Sequence, residues 1–170
     1  MNRHRLLIGL GLAGTALVGS VAGSVLAVQA WAAHQVAVER EAVLAAARQQ
    51  AINLTTMDYR RVTQDVARIV DGATGALRQQ FAGGGAQLAP ILAEARSVSA
   101  GRVLETGLVS LDSERGTAEV LAVTDARVSN TQVSKAGQPA TVRHFRMSVR
   151  LSRQDGRWLV SDVAFAGGNP

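Results

Sequence analysis

Hydrophobic and polar positions along the chain fall into three regimes. From Leu6 to Ala33 there is no charged residue, and only Thr15, Ser20, Ser24 and Gln29 interrupt the apolar run. From His34 to about Ser97 the apolar positions recur with a helical period. After Ser97 they alternate, as in half-buried strands.

The first regime predicts a membrane helix. A bilayer core about 30 Å thick needs roughly 20 apolar helical residues, and this run supplies about 28. The apolar core of a cleaved secretory signal is only about 7–15 residues, so a retained anchor fits better, although Ala30-Trp31-Ala32 has the form of a cleavage site. Arg3 and Arg5 precede the span, whereas His34, Glu39, Arg40 and Glu41 follow it. The positive-inside bias then keeps residues 1–5 in the cytoplasm, spans with 6–33 and exports 34–170. The expected location is the plasma membrane, in a single pass. Gly19 and Gly23 stand four apart, a spacing that lets two membrane helices approach closely. "IGLGLAG" (8–14) also matches the glycine pattern of a dinucleotide-binding turn, but no strand precedes it and no acid follows at the ribose-binding distance.

In the second regime Val36, Val43, Leu44, Ala47, Ala51 and Leu54 share one face of a first helix. Asp58 is placed to cap a second helix, whose stripe is Val62, Val66, Ile69, Val70 and Ala73. Arg61, Asp65, Arg68 and Asp71 then fall on its opposite, solvated face as ion pairs. A third helical stretch starts at Ala76, breaks at the turn Gly83-Gly84-Gly85 and resumes with Leu88, Ile91 and Leu92. The third regime holds four strands, "GRVLETGLVSL", "GTAEVLAVTDARV", "TVRHFRMSVRLS" and "RWLVSDVAF", with a longer loop over 129–138 and a tight hairpin at Asp155-Gly156. Helices followed by an antiparallel meander make an α+β domain.

Composition narrows the function. Without cysteine there are no disulfides, thiolate metal sites or cysteine nucleophiles. His4, His34 and His144 are too scattered to share a metal. No cofactor is expected. The chain's net charge of +5 leaves the exported domain basic, which points to anionic headgroups or acidic partners and away from nucleic acid. The third strand buries Phe145, Met147, Val149 and Leu151 and leaves His144, Arg146, Ser148 and Arg150 on a wet, cationic face. These four are the candidate partner-binding residues.

The segment "REAVLAAARQQAINLTTMDYRRVTQDVARIVDGATGALRQQF" and the terminal "WLVSDVAF" resemble the Mce-associated membrane proteins of actinobacteria. The matching residues are Leu54, Thr55, Thr56, Asp58, Tyr59, Asp65, Ala67, Arg68, Asp71 to Gly75, Trp158 and Asp162. The resemblance implies an NTF2-like (cystatin-like) domain, with three helices packed on a curved four-stranded antiparallel sheet behind the N-terminal transmembrane helix. It also implies a non-enzymatic accessory or stabilising subunit of an Mce-type lipid or sterol import complex. The partners would be the lipid bilayer, Mce transporter subunits or other Mce-associated proteins, in a homo- or hetero-oligomer. The alternatives are a type IV secretion-like assembly component and a membrane-tethered cavity enzyme of isomerase or dehydratase type. The enzyme would have to draw on Asp58, Tyr59, Asp65, His144 and Asp162. Each of those residues already has a structural explanation, so no catalytic residue is expected.

Overall fold

The computed structural model describes residues 31, 33–137 and 139–166. The chain divides into a unit of residues 1–39 and a unit of residues 40–170. In the first, the described residues are helical, with Trp31, Val36 and Val38 exposed. No helix among the described residues is long and apolar enough to cross a membrane. Except for Trp31 and Ala33, the expected span 6–33 lies outside the described residues, as do Arg3, Arg5, Gly19 and Gly23.

The second unit is α+β. Its elements are α1 (40–55 within this unit), β1 (Met57–Asp58), α2 (Val62–Asp71), α3 (Gly75–Ala82), α4 (Gly85–Ala95), β2 (Val98–Asp112), β3 (Thr117–Ser129), α5 (Thr131–Lys135), β4 (Thr141–Gln154) and β5 (Arg157–Phe165). The strands form one antiparallel sheet in chain order, β1-β2-β3-β4-β5. Five strands replace the expected four, because Met57 and Asp58 pair with Ser99 and Val98 at the start of β2. A two-residue strand has no alternation for a sequence pattern to reveal.

The core lies on one face of the sheet, and the periodicities that predicted it hold. Val43, Leu44, Ala47 and Ala51 of α1 pack with Ala118, Val120 and Ala122 of β3, Met147, Val149 and Leu151 of β4, and Trp158 and Val160 of β5. Each of the larger aliphatic side chains contributes roughly 1.5–3 kcal/mol when fully buried, and each alanine methyl about 1 kcal/mol or less. Val62, Val66 and Ile69 of α2 are buried, as their stripe requires. Register shifts at Val103/Glu105, Leu108/Ser110 and Arg150/Leu151 bend and twist the sheet.

The third helical stretch breaks at the glycine run as expected, Gly83 capping α3 and Gly84 preceding α4, so that it forms two helices and the helix count exceeds the expected three. Local expectations fail at two places. The loop expected over 129–138 contains the short helix α5, with the Asn130 side chain accepting from the Val133 N–H at its start (2.9 Å). Asp58 is not the cap of α2. That position is Arg61, and Asp58 lies in β1.

Candidate functional site

The residues that carry the family-like motif fold into a knot of buried hydrogen bonds. At the end of α1 the Thr55 hydroxyl donates to the Ala51 carbonyl (2.7 Å), and the Thr55 carbonyl accepts from the Ser99 hydroxyl (2.6 Å). Thr56 Oγ1 accepts from the Gly101 N–H (3.1 Å). Gly101 is required here, since a Cβ would lie 1.9 Å from Thr55 Oγ1. The Ser99 and Thr56 hydroxyls therefore fasten the helix end to the first residues of β2.

Asp58 and Asp65 continue the knot. Asp65 is 1 % exposed, contrary to the solvated face expected for it. Its Oδ2 accepts from the Asp58 N–H (2.7 Å) and its Oδ1 from Arg68 Nη2 (2.6 Å). The helical period had placed Asp65 opposite the apolar stripe, but β1 lies over that turn of α2 and supplies a backbone donor needing an acceptor. Asp58 Oδ1 accepts from the backbone N–H and Nε of Arg60 (both 2.9 Å), and Oδ2 accepts from Arg60 Nη2 (2.6 Å). These contacts, led by the Arg60 guanidinium, hold the Asp58 carboxyl down at about 2. Tyr59 donates its N–H to the Ser97 carbonyl (3.0 Å), and Arg60 lies over its ring.

"DGATG" locks α2 to β5. The Gly72 carbonyl accepts from the Val160 N–H (3.0 Å) and the Val160 carbonyl from the Thr74 N–H (2.8 Å), with Ala73 and Val160 forming a parallel bridge. Buried Gln50 donates to the Ile69 carbonyl (2.9 Å), and its Oε1 would lie 2.5 Å from a Cβ on Gly72. A general base needs a lone pair free within reach of a substrate proton. The Asp58 and Asp65 oxygens instead hold backbone N–H groups and guanidinium groups.

The outer face of the sheet collects the four candidate partner-binding residues, and the cross-strand register supplies partners that the sequence does not reveal. His144 Nδ1 lies 2.5 Å from Asp125 Oδ1, and Arg102 Nη2 donates to Asp125 Oδ2 (3.0 Å). Those two contacts, Arg102 first, hold the Asp125 carboxyl below the usual carboxylate range. Ser148 donates to Glu119 Oε1 (2.6 Å), and Arg150 pairs with Asp162, which raises the Arg150 pKa. Arg146 has no side-chain hydrogen bond or ion pair among the described residues. The face is thus a largely charge-paired ladder on which Arg146 alone of the four candidates has no partner among the described residues, and it is less cationic than β4 read alone. Leu104, Val109 and Leu121 are exposed on it or at its bulges.

Several clefts open among the described residues. One, about 390 Å³, is lined by Ala100, Gly101, Arg102, Asp125, Arg127 and Val142. A second, about 260 Å³, lies beside Glu119 and Arg150. A third, about 360 Å³, is lined by Arg96, Ser129, Asn130, Thr131, Ser134 and Lys135. A fourth, about 500 Å³, is an apolar groove along α2 that includes Val66, Val70 and Phe81. None of these is lined by Asp58, Tyr59, Asp65 or His144. Among the described residues no three acidic or histidine side chains group as metal ligands. The Asp125 pairings and the third cleft escaped sequence reasoning, since both depend on strand register and loop placement.

Residues 10–167 match the protein family described as uncharacterized protein Rv1363c/MT1408-like. A curated relative, the uncharacterized protein Rv1363c of Mycobacterium tuberculosis (strain ATCC 25618 / H37Rv), is 31% identical over 136 residues. The match covers 78% of this chain and 50% of the relative, so the chain spans about half of that relative's length. Among solved structures, the chain is similar to an IcmL-like type IV secretion system protein from Legionella pneumophila, with 14% identity, a TM-score of 0.59 and coverage of 77% of this chain and 94% of that one. It is also similar to the periplasmic domain of DotI (14% identity, TM-score 0.58, coverage 73% and 92%). A third similar structure is the VirB8 protein of Agrobacterium tumefaciens (10% identity, TM-score 0.55, coverage 74% and 90%). At these identities the likeness shows the fold alone.

Proposed function

This chain belongs to the Rv1363c/MT1408-like family, and we propose that it is a non-enzymatic assembly component of a cell-envelope complex. In this reading residues 6–33 anchor it and residues 34–170 stand outside the cytoplasm. The observation that carries it is how the polar side chains are used. Asp58 and Asp65, the carboxylates a cavity enzyme would need, are both tied into the fold. What faces outward is a sheet surface on which exposed Leu104, Val109 and Leu121 sit among paired charges and Arg146. Apolar groups beside an available arginine suit protein docking.

The fold shared with secretion-system domains supports an assembly role ahead of lipid import. The narrower reading, a subunit of an Mce-type lipid or sterol importer, is supported by the motif resemblance. Purification of the tagged full chain in mild detergent, with identification of the proteins retained, separates the two. Recovery of lipid-import permease subunits favours the narrower reading, and recovery of secretion-type subunits excludes it. Arg146→Glu combined with Leu121→Lys is expected to reduce partner recovery severalfold at unchanged protein level and melting temperature. Undiminished recovery would remove the sheet face as the docking surface.

A further inference from the structure

Charge is distributed unevenly along the strands. At the end formed by the start of β2, the end of β3, α5 and the start of β4, residues 96–103 and 124–144 hold Arg96, Arg102, Arg127, Lys135 and Arg143 against the single carboxylate Asp125. That carboxylate is already engaged by Arg102 and His144. At the opposite end, residues 110–119 and 150–162 hold Asp112, Glu114, Glu119, Asp155 and Asp162 against Arg115, Arg150, Arg153 and Arg157. One end is strongly cationic and the other is balanced.

The cationic end has a concave site in it. The cleft of about 360 Å³ between the C-terminus of α4 and α5 is lined by Arg96, Ser129, Asn130, Thr131, Ser134 and Lys135. Lys135 is the sole lysine of the chain. Among the described residues, neither cation has a carboxylate within ion-pair distance, and no carboxylate lines the cleft. The Ser129, Thr131 and Ser134 hydroxyls make no hydrogen bond within the described residues, whereas the Asn130 side-chain oxygen is used by the Val133 N–H. Arg96 caps α4 at φ 47°, a left-handed conformation that favours glycine. An arginine thus occupies a backbone position where glycine would fit with less strain.

We propose that this cleft binds a phosphate-type anion. An arginine fork matches two phosphate oxygens, a lysine adds a point charge, and hydroxyl groups donate to the remaining oxygens. The unbalanced field at this end of the sheet concentrates anions at the cleft mouth. A phosphodiester in an anionic lipid headgroup and a free phosphate compound present the same chemistry. The proposal does not depend on the assembly role, because none of these residues belongs to the Arg146 and Leu121 face.

The test uses the full chain in a non-ionic detergent, titrated separately with inorganic phosphate, with glycerol phosphate, and with mixed micelles containing either phosphatidylglycerol or phosphatidylcholine. Saturable binding of at least one phosphate-bearing anion is expected, weakening as salt is raised. In Arg96→Gly/Lys135→Ala that binding falls at least tenfold. Glycine suits the left-handed position, so the variant keeps the wild-type melting temperature or exceeds it, and lost binding is not lost folding. Arg157→Ala, at the balanced end, keeps wild-type binding. Response to phosphatidylglycerol alone assigns the site to a lipid headgroup, and response to the small phosphates as well assigns it to phosphate compounds generally. Binding that survives the double variant, falls equally in Arg157→Ala, or is absent with every probe overturns the proposal.

Discussion

Two regions of this domain use the same side-chain chemistry to opposite ends. In the knot joining α1, β1, β2, α2 and β5, aspartate, serine and threonine side chains hold backbone groups contributed by neighbouring elements. On the outer face of the sheet, carboxylates, arginines and a serine hold one another across neighbouring strands, with the arginines exposed to solvent and Asp125 buried beneath Arg102 and His144. An acceptor removed from the knot leaves a buried donor with no water to turn to. A side chain removed from the face leaves groups that water can satisfy. The recognisable motif coincides with the knot, so it identifies how the domain is held together. The surface proposed to meet a partner lies elsewhere.

The comparison predicts a steep order of effects. Trp158 is 9 % exposed in the core and lies under the Arg153 guanidinium, so Trp158→Ala should cost about 3–5 kcal/mol. A thermal melt should then fall by roughly 10 °C or more. Gly101→Ala comes next. It drives a methyl group into the Thr55 side chain and should cost about 1–3 kcal/mol as overpacking. An unchanged melt for Gly101→Ala would mean that the knot yields easily and is no tighter than the face.

Asp65→Asn sharpens the same contrast. The amide oxygen can still accept from the Asp58 N–H, but the charge-assisted bond from Arg68 is lost, for a loss of about 1–2 kcal/mol. Partner recovery per folded molecule should stay at the wild-type level. Asp58 gives the knot a pH signature. Its folded pKa of about 2 lies below the ordinary carboxylate value, so its stabilising effect is present above about pH 4 and is lost as pH falls toward 2. Melts of the wild type and of Asp58→Asn should therefore differ near neutrality and converge across that acidic window. A difference that persists at pH 2 would assign the effect to the shape of the side chain and not to its charge.

Much of the architecture was legible because periodicity reports which face is buried. The stripe through Val62, Val66 and Ile69 and the alternation of Met147, Val149 and Leu151 both appear in the structure as predicted, with Phe145 at the edge of the core and half-buried. Periodicity cannot report what lies over the other face. Asp65 was assigned to solvent because nothing in α2 itself shows that β1 covers that turn. The partners of His144, Ser148 and Arg150 come from β3 and β5, and they are fixed by a register that no single strand encodes. Only the fold made it visible that Arg96 and Lys135, 39 positions apart, share a cleft.

The smallest effects belong to the outer face. Arg150 and Asp162 are joined across β4 and β5, with 64% and 35% of their side-chain surfaces exposed. Solvent screens the pair, and ordering a long arginine side chain offsets part of the attraction. A double-mutant cycle of Arg150→Ala and Asp162→Ala should give a coupling near the limit of measurement in a thermal melt, and raising the salt should reduce it further. Arg146→Glu should leave the melt unchanged, since Arg146 has no side-chain partner among the described residues. The same substitution places an acidic group on the proposed docking surface and should lower partner recovery. A large coupling between Arg150 and Asp162 would make the face a second structural knot, and the contrast between the two regions would fail there.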